Sequence, residues 1–178
     1  MTNVPGLGFV VILAAIGLFL ALPVLAAVSL LVARATSARI EWALVGTHAV
    51  ALVGGVGVAV LNLGTDLDLA AGVIVGLLRT TAVVLVAGLF LAVVVEGIPI
   101  AAGAAVTVVL REVSWPHALR CATAGYALGG IGGALAGIAL TSALEAAALG
   151  ALLAAPGALG SVALDAAASR FLRGRLTA

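Results

Sequence analysis

The sequence predicts an all-α integral membrane protein, built as a compact bundle of about five transmembrane helices. Of its 178 residues, 65% are hydrophobic and only 8% are charged, and the mean hydropathy is +1.38. Soluble domains carry about a quarter charged residues because their surface faces water. A chain of this composition cannot cover itself with polar groups, so the expected partner of its surface is the lipid bilayer.

Apolar runs long enough to cross that bilayer recur along the chain. A hydrocarbon core about 30 Å thick needs about 20 helical residues at a rise of 1.5 Å per residue. Five regions meet this length, and together they form one membrane domain over 1–178: 5–31, 43–63, 70–95, 118–140 and 144–164. The first has no basic segment before it and is too long for a signal peptide, so we interpret it as a span.

One apolar stretch, residues 98–110, is too short to cross. It would measure about 20 Å as a helix, and Pro99 suits the first turn of a helix because proline lacks the N–H that has no partner there. Two alternatives stay open for this segment. It is either a re-entrant helix, which protein must shield from lipid, or an interfacial helix along the cytoplasmic surface.

The positions of the basic residues predict the orientation. All eight cations are arginine, a composition typical of a high-GC, prokaryotic genome, and short cytoplasmic loops retain cations. Five spans place seven of them on one side, all except Arg79: Arg34, Arg39, Arg111, Arg120, Arg170, Arg173 and Arg175. The prediction is therefore a cell-membrane protein with its N-terminus outside and its C-terminus in the cytoplasm.

A stripe of small residues marks the fourth predicted span. Glycine recurs there every four residues, at Gly125, Gly129, Gly133 and Gly137. These positions share one helix face, which lets another backbone approach closely enough for dispersion and Cα–H contacts. The stripe predicts close packing against another span of the same chain, against a second copy of the chain, or against a partner subunit.

Four polar residues lie where the bilayer makes them costly. Arg79 is predicted inside the third span, at a position where a bare cation costs about 2.5 to 3.5 kcal/mol. Glu145 begins the fifth span on the outer side and is a candidate partner for it, whereas His48 lies near the inner end of the second span. Glu96 ends the third span, and it is expected either to cap the short helix that follows or to bind a cation or proton at a broken helix.

Composition and motifs argue against most other functions. The largest group of cations is the three arginines of the tail, too small for a nucleic-acid surface. Lysine is absent, which excludes the lysine-containing phosphate loop, and with Cys121 the only cysteine no paired thiolates are present. His117 and Cys121 share a helix face, but an enzyme would also need a carboxylate beside them. We therefore predict no catalytic, cofactor or metal site.

Two functions remain. The first is a non-enzymatic membrane subunit or scaffold that acts through glycine-mediated helix packing, as a homo-oligomer or with another membrane protein. The alternative is a small oligomeric transporter or channel that uses Arg79, Glu96 and Glu145, with His48 as a further candidate. Convergence of these side chains on one cavity would favour the transporter, and their scatter would favour the subunit.

Overall fold

In the computed structural model, the backbone is described for residues 5–64, 92–140 and 143–176, and all regular structure within these ranges is helical. Side chains are described for 21–55, 93–139 and 145–171 except Ala147. In chain order the elements are α1 (Pro5–Thr36), α2 (Ile40–Gly64), a π-helical turn (Ala92–Gly97), α3 (Ile98–Arg111), α4 (Trp115–Leu140), α5 (Ala143–Leu159) and α6 (Ser161–Leu176).

An antiparallel pair, α4 and α5, forms the centre of the described bundle. The four glycines of the stripe face the backbone of α5: Gly125 meets Gly157, Gly129 meets Leu153, Gly133 meets Leu149 and Gly137 meets Ala146. A Cβ added at Gly133 would stand 2.6 Å from the Leu149 carbonyl oxygen, far inside van der Waals contact. Only glycine therefore allows the two backbones to lie this close.

Helices α1 and α3 also pack against the α4–α5 pair at glycine residues. The ring of Pro23, inside α1, lies against Gly130 of α4. In α3, Gly103 faces the carbonyl group of Ala158, near the end of α5. Small buried side chains fill the space between these helices, among them Ala26, Ala104 and Ala122, which are fully buried or nearly so. The bundle core is thus rich in alanine and glycine, with a few larger buried side chains such as Leu22 and Ile100.

The short helix predicted at 98–110 begins earlier in the structure, because it is continuous with the helical turn before it. The π-helical turn Ala92–Gly97 runs directly into α3, so that Val93–Arg111 is one helix, long and apolar enough to cross a membrane. Pro99 stands in the first turn of α3, directly after the π-helical turn, an element found mostly as a single turn inside an α-helix. The helix is therefore continuous between Glu96 and Pro99, where the sequence predicted a break.

The fifth predicted span, 144–164, is divided in two. Helix α5 ends at Leu159, Gly160 forms a turn, and α6 starts at Ser161 with its axis bent by 61°. Helix α6 then packs beside α3, where the Ser161 hydroxyl lies 2.6 Å from that of Thr107 and also donates to the Gly103 carbonyl. Both hydroxyls are fully buried and fully partnered, as burial of polar groups requires.

The length and composition of the described helices support two membrane spans, or three when the bent pair α5 and α6 counts as one. These are Val93–Arg111, Trp115–Ala139 and the pair Ala148–Leu159 with Ser161–Phe171. The described parts of α1 and α2, Ala21–Thr36 and Ile40–Gly55, are shorter apolar helices. Most of the predicted span 70–95 lies outside the described residues.

Aliphatic side chains cover the outward faces of these helices. Leu128, Leu135 and Ile138 of α4 and Leu152 of α5 are each more than 60% exposed. A soluble monomer rarely exposes contiguous apolar surface on this scale. The outward faces are therefore suited to lipid, in keeping with a membrane location.

Several arginines gather at one end of the bundle. Arg34, Ser37 and Arg120 line one cavity, with Leu30 and Ala33, so the loops at 37–39 and 112–114 lie on the same side. Arg111 ends α3 beside the second of these loops. We call this side the arginine end.

The glycine contacts predict a selective effect of added methyl groups. Gly129→Ala should lower the melting temperature of the purified protein by several degrees, because its Cβ would collide with the Leu153 carbonyl oxygen. Gly132 is the matched control, since a Cβ there meets no atom within 4 Å and alanine in a helix interior gains about 0.5–1 kcal/mol over glycine. Equal melting temperatures for the two variants would contradict the packing described.

Candidate functional site: the His48–Glu96 cavity

A histidine and a glutamate from two different elements form a buried pair. His48 comes from α2 and Glu96 from the π-helical turn, and the His48 Nε2 and Glu96 Oε2 atoms are 2.8 Å apart. The other ring nitrogen, Nδ1, is 2.8 Å from the Leu44 carbonyl oxygen. A carbonyl oxygen only accepts, so Nδ1 carries a proton and donates it. The imidazole is thereby fixed in orientation with Nε2 towards the carboxyl group.

The shared proton of this pair has two positions. With Nδ1 protonated, Nε2 either accepts a hydrogen bond from a neutral Glu96 carboxyl group or donates one, as an imidazolium, to a carboxylate. The two states hold the same number of protons and differ only in where one of them resides. The pair can therefore pass a proton across 2.8 Å without a change of net charge.

Glu96 is the most deeply buried of the described glutamates. Its side chain is 3% exposed, and its second oxygen, Oε1, has no hydrogen-bond partner among the described residues. A buried oxygen without a partner costs roughly 1 to 3 kcal/mol, and more if it is charged. A bound cation or hydrogen-bond donor would therefore stabilise the Oε1 atom of Glu96.

The pair lies in the wall of a cavity of about 300 Å³. Its remaining lining consists of aliphatic side chains and glycine from α2, the π-helical turn, α3 and α4: Leu44, Val45, Ala49, Leu52, Val93, Gly97, Ile100, Ala101 and Leu119. An apolar hollow with one or two convergent polar groups is the usual form of a small-molecule site. Among the described residues of this wall, His48 and Glu96 supply the polar side chains.

The other sequence-predicted polar residues do not join this cavity. Glu145 is exposed, and its neighbour Ala146 packs on Gly137, about 27 Å along α4 from the cavity residue Leu119 at 1.5 Å per residue. Arg79 lies outside the described residues. Of the four predicted candidates, the structure thus brings together His48 and Glu96.

Helix capping, one of the two roles expected for Glu96, is absent. The residue before α3, Gly97, has helical φ and ψ angles, and no side chain caps this helix start. The reason is that the chain is already helical when it reaches α3, so the first turn has no free end for a carboxylate to cap. Glu96 makes its hydrogen bond to His48 instead.

A second polar cluster lies at the arginine end. Asp165 of α6 accepts from Arg111 Nε at 2.8 Å through Oδ2, and its Oδ1 lies 2.7 Å from His117 Nε2. Cys121 Sγ is 3.7 Å from the same Nε2 atom. Asp165 is nearly buried, at 4% exposure, whereas the His117 side chain is 51% exposed. We call His117, Cys121 and Asp165 the His–Cys–Asp cluster.

Sequence reasoning placed His117 and Cys121 on one face and missed Asp165 and Arg111 as their companions. The signal for Asp165 is its position four residues after Ser161, which puts both polar groups on one face of α6. The arrangement does not form a nucleophilic triad, because the thiol and the carboxylate share one ring nitrogen. A triad needs them on opposite nitrogens, so that the carboxylate orients the base.

Comparison with known protein families, with curated proteins and with solved structures found no match to this chain.

The buried pair predicts strong coupling between its two members. His48→Phe should destabilise the protein by about 3–5 kcal/mol, since it leaves the Glu96 carboxyl group buried and unpaired. The double variant His48→Phe with Glu96→Leu should recover part of that loss, because it removes both polar groups. Chemical denaturation in detergent measures the loss for each single variant, His48→Phe and Glu96→Leu, and for the double variant. A double variant whose loss equals the sum of the single losses would show that the pair contributes no interaction energy.

Proposed function

We propose that the protein is a small membrane transporter that exchanges protons for a small organic cation at Glu96. One observation carries the proposal: a buried carboxyl group with one oxygen unpartnered among the described residues lines an apolar cavity. An ionisable residue within a membrane helix is costly to maintain, and its usual justification is a substrate or proton path.

The lining of the cavity indicates the substrate class. A volume of about 300 Å³ accommodates roughly ten atoms the size of a water molecule at ~30 Å³ each. The aliphatic wall favours an apolar body, and the single carboxyl group favours one positive charge. The substrate class is therefore a monovalent organic cation with a compact hydrocarbon part.

Proton exchange follows from charge balance at this pair. In the absence of substrate, one proton between Glu96 and His48 keeps the carboxyl group compensated. A cation that binds beside Glu96 supplies the same charge, so the proton is free to leave, and departure of the cation requires its return. Competition of proton and substrate for one buried carboxylate is sufficient to couple their movements.

The subunit or scaffold role receives less support from the packing. In the structure, α5 of the same chain covers the stripe formed by Gly125, Gly129, Gly133 and Gly137. A second copy or a partner subunit must then dock on the outward aliphatic faces of the bundle instead. The stripe acts within the chain, where it holds the bundle that surrounds the cavity.

For the membrane arrangement we propose five crossings, with the N-terminus outside and the C-terminus in the cytoplasm. The helices α1, α2, α4 and the bent pair α5–α6 supply four crossings. The stretch between α2 and α4, which includes the predicted span 70–95 and the helix Val93–Arg111, supplies one net crossing. The gathering of Arg34, Arg111 and Arg120 at one end supports the proposed orientation, since short loops that retain arginine are cytoplasmic and α1 then starts on the outer side.

The transporter proposal predicts loss of cation uptake when the carboxyl group is neutralised. Proteoliposomes with an acidic interior should accumulate benzyltrimethylammonium, a permanent cation that cannot cross lipid as a neutral base. Glu96→Gln should reduce the initial rate at least tenfold, because an amide neither carries the negative charge nor releases a proton. Radiolabelled cation measures the rate, and pyranine trapped in the lumen measures the proton flux.

Glu112 supplies the matched control, as an exposed carboxylate in the loop after α3. Glu112→Gln should retain uptake within twofold. Glu145→Gln should also retain it, because Glu145 lies far from the cavity. Uptake that survives Glu96→Gln, or that depends equally on Glu145, would refute the assignment to the His48–Glu96 cavity.

The topology proposal makes an independent prediction. A reporter fused at the N-terminus should be active only outside the cytoplasm, and one fused at the C-terminus only within it. Paired fusions with alkaline phosphatase and green fluorescent protein distinguish the two sides. Detection of both termini on the same side would require an even number of crossings and would contradict the proposal.

A further inference from the structure

We propose that the His–Cys–Asp cluster binds one divalent transition-metal ion of the zinc type at the arginine end. The three side chains offer one ligand atom each, an imidazole nitrogen, a sulfur and a carboxylate oxygen, and these atoms lie within 4.8 Å of one another. They come from α4 and α6, two helices that approach each other only because the chain turns at Gly160. The cluster shares no residue with the His48–Glu96 cavity.

The donor set selects the class of metal. Thiolate and imidazole are preferred ligands of zinc and its neighbours, whereas magnesium and calcium require an oxygen shell. Zinc sites with three protein ligands keep a fourth position for water. The half-exposed His117 leaves one side of the cluster open to solvent, so water has access to that position.

Two of the three distances between the ligand atoms are close to those that a metal requires, and the third, between sulfur and carboxylate oxygen, is at most 4.8 Å. Zinc lies about 2.0–2.1 Å from nitrogen and about 2.3 Å from sulfur, which separates tetrahedral ligand atoms by roughly 3.3–3.7 Å. The sulfur and nitrogen atoms are already 3.7 Å apart. The nitrogen and carboxylate oxygen, now 2.7 Å apart in a hydrogen bond, must separate by about 0.6 Å as the metal replaces the proton between them.

Arg111 prepares the carboxylate for this role. It binds Oδ2 of Asp165 and leaves Oδ1 beside His117 Nε2. Support of a metal-binding carboxylate by an outer hydrogen bond is a regular feature of metal sites. His117 and Cys121 stand one helical turn apart on the same face, so the chain orders all three donors before any ion arrives.

Metal binding is testable on Cys121, because it is the only cysteine of the chain. The full-length protein in detergent, first treated with chelator, is alkylated with a maleimide in the presence and absence of Zn²⁺. One equivalent of Zn²⁺ per chain should slow alkylation at least tenfold, since a metal-bound thiolate is a poor nucleophile. Addition of Co²⁺ should produce a thiolate-to-metal charge-transfer band in the near ultraviolet.

Variants decide whether the three residues act together. Asp165→Asn should weaken Zn²⁺ protection of Cys121 at least tenfold, whereas the control Glu112→Gln, a nearby exposed carboxylate, should leave it unchanged. Cys121→Ser, which preserves the Arg111–Asp165 ion pair, should keep the melting temperature of the metal-free protein and lose the stabilisation by Zn²⁺. No protection of the wild type, protection unaltered in Asp165→Asn, or fewer than one metal per chain would overturn the proposal.

Discussion

Direct contact between the backbones of α4 and α5 is the interaction on which the rest of the structure depends. Gly125 and Gly157 face each other so closely that a Cβ on either would strike the carbonyl group of the other. In lipid the hydrophobic effect does not drive helices together, so close packing and the hydrogen bonds it permits must do so. Glycine on both helices satisfies this requirement, and the narrow spacing at α4–α5 brings α1 and α3 near enough to complete the bundle through Pro23 and Gly103.

The polar groups occupy the places that this packing leaves for them. His48 and Glu96 meet where α2 and the π-helical turn approach α4, with a cavity between them instead of a glycine contact. Asp165, Arg111 and His117 meet at the arginine end, after α6 has turned away from the axis of α5. Thr107 and Ser161 lie between these regions, and their hydroxyls find partners on neighbouring helices. In each of these contacts one member follows or lies in an irregular stretch of helix: Glu96 in the π-helical turn, and Ser161 and Asp165 after the bend at Gly160.

The sequence predicted the helical class and the small-residue face of α4, because both depend on local periodicity and composition. It located Glu96 and His48 individually, since a charged or polar residue stands out in an apolar run. Their pairing across 48 positions depends on how α2 meets the π-helical turn, and no local pattern encodes that. The same reason explains why Asp165 escaped notice beside His117. The continuity of the helix through Pro99 was missed because a proline usually marks a helix start, and here the chain is already helical from Ala92.

The turn at Gly160 gives α6 a direction different from that of α5. Beyond the turn, α6 packs against α3 and α4, with the Ser161 hydroxyl near the bend and the Asp165 carboxylate one turn further. A straight continuation of α5 would carry both groups along the axis of that helix. The bend instead directs a carboxylate to the half-exposed imidazole of His117, so that the charge carried by the last helix meets the solution at the arginine end.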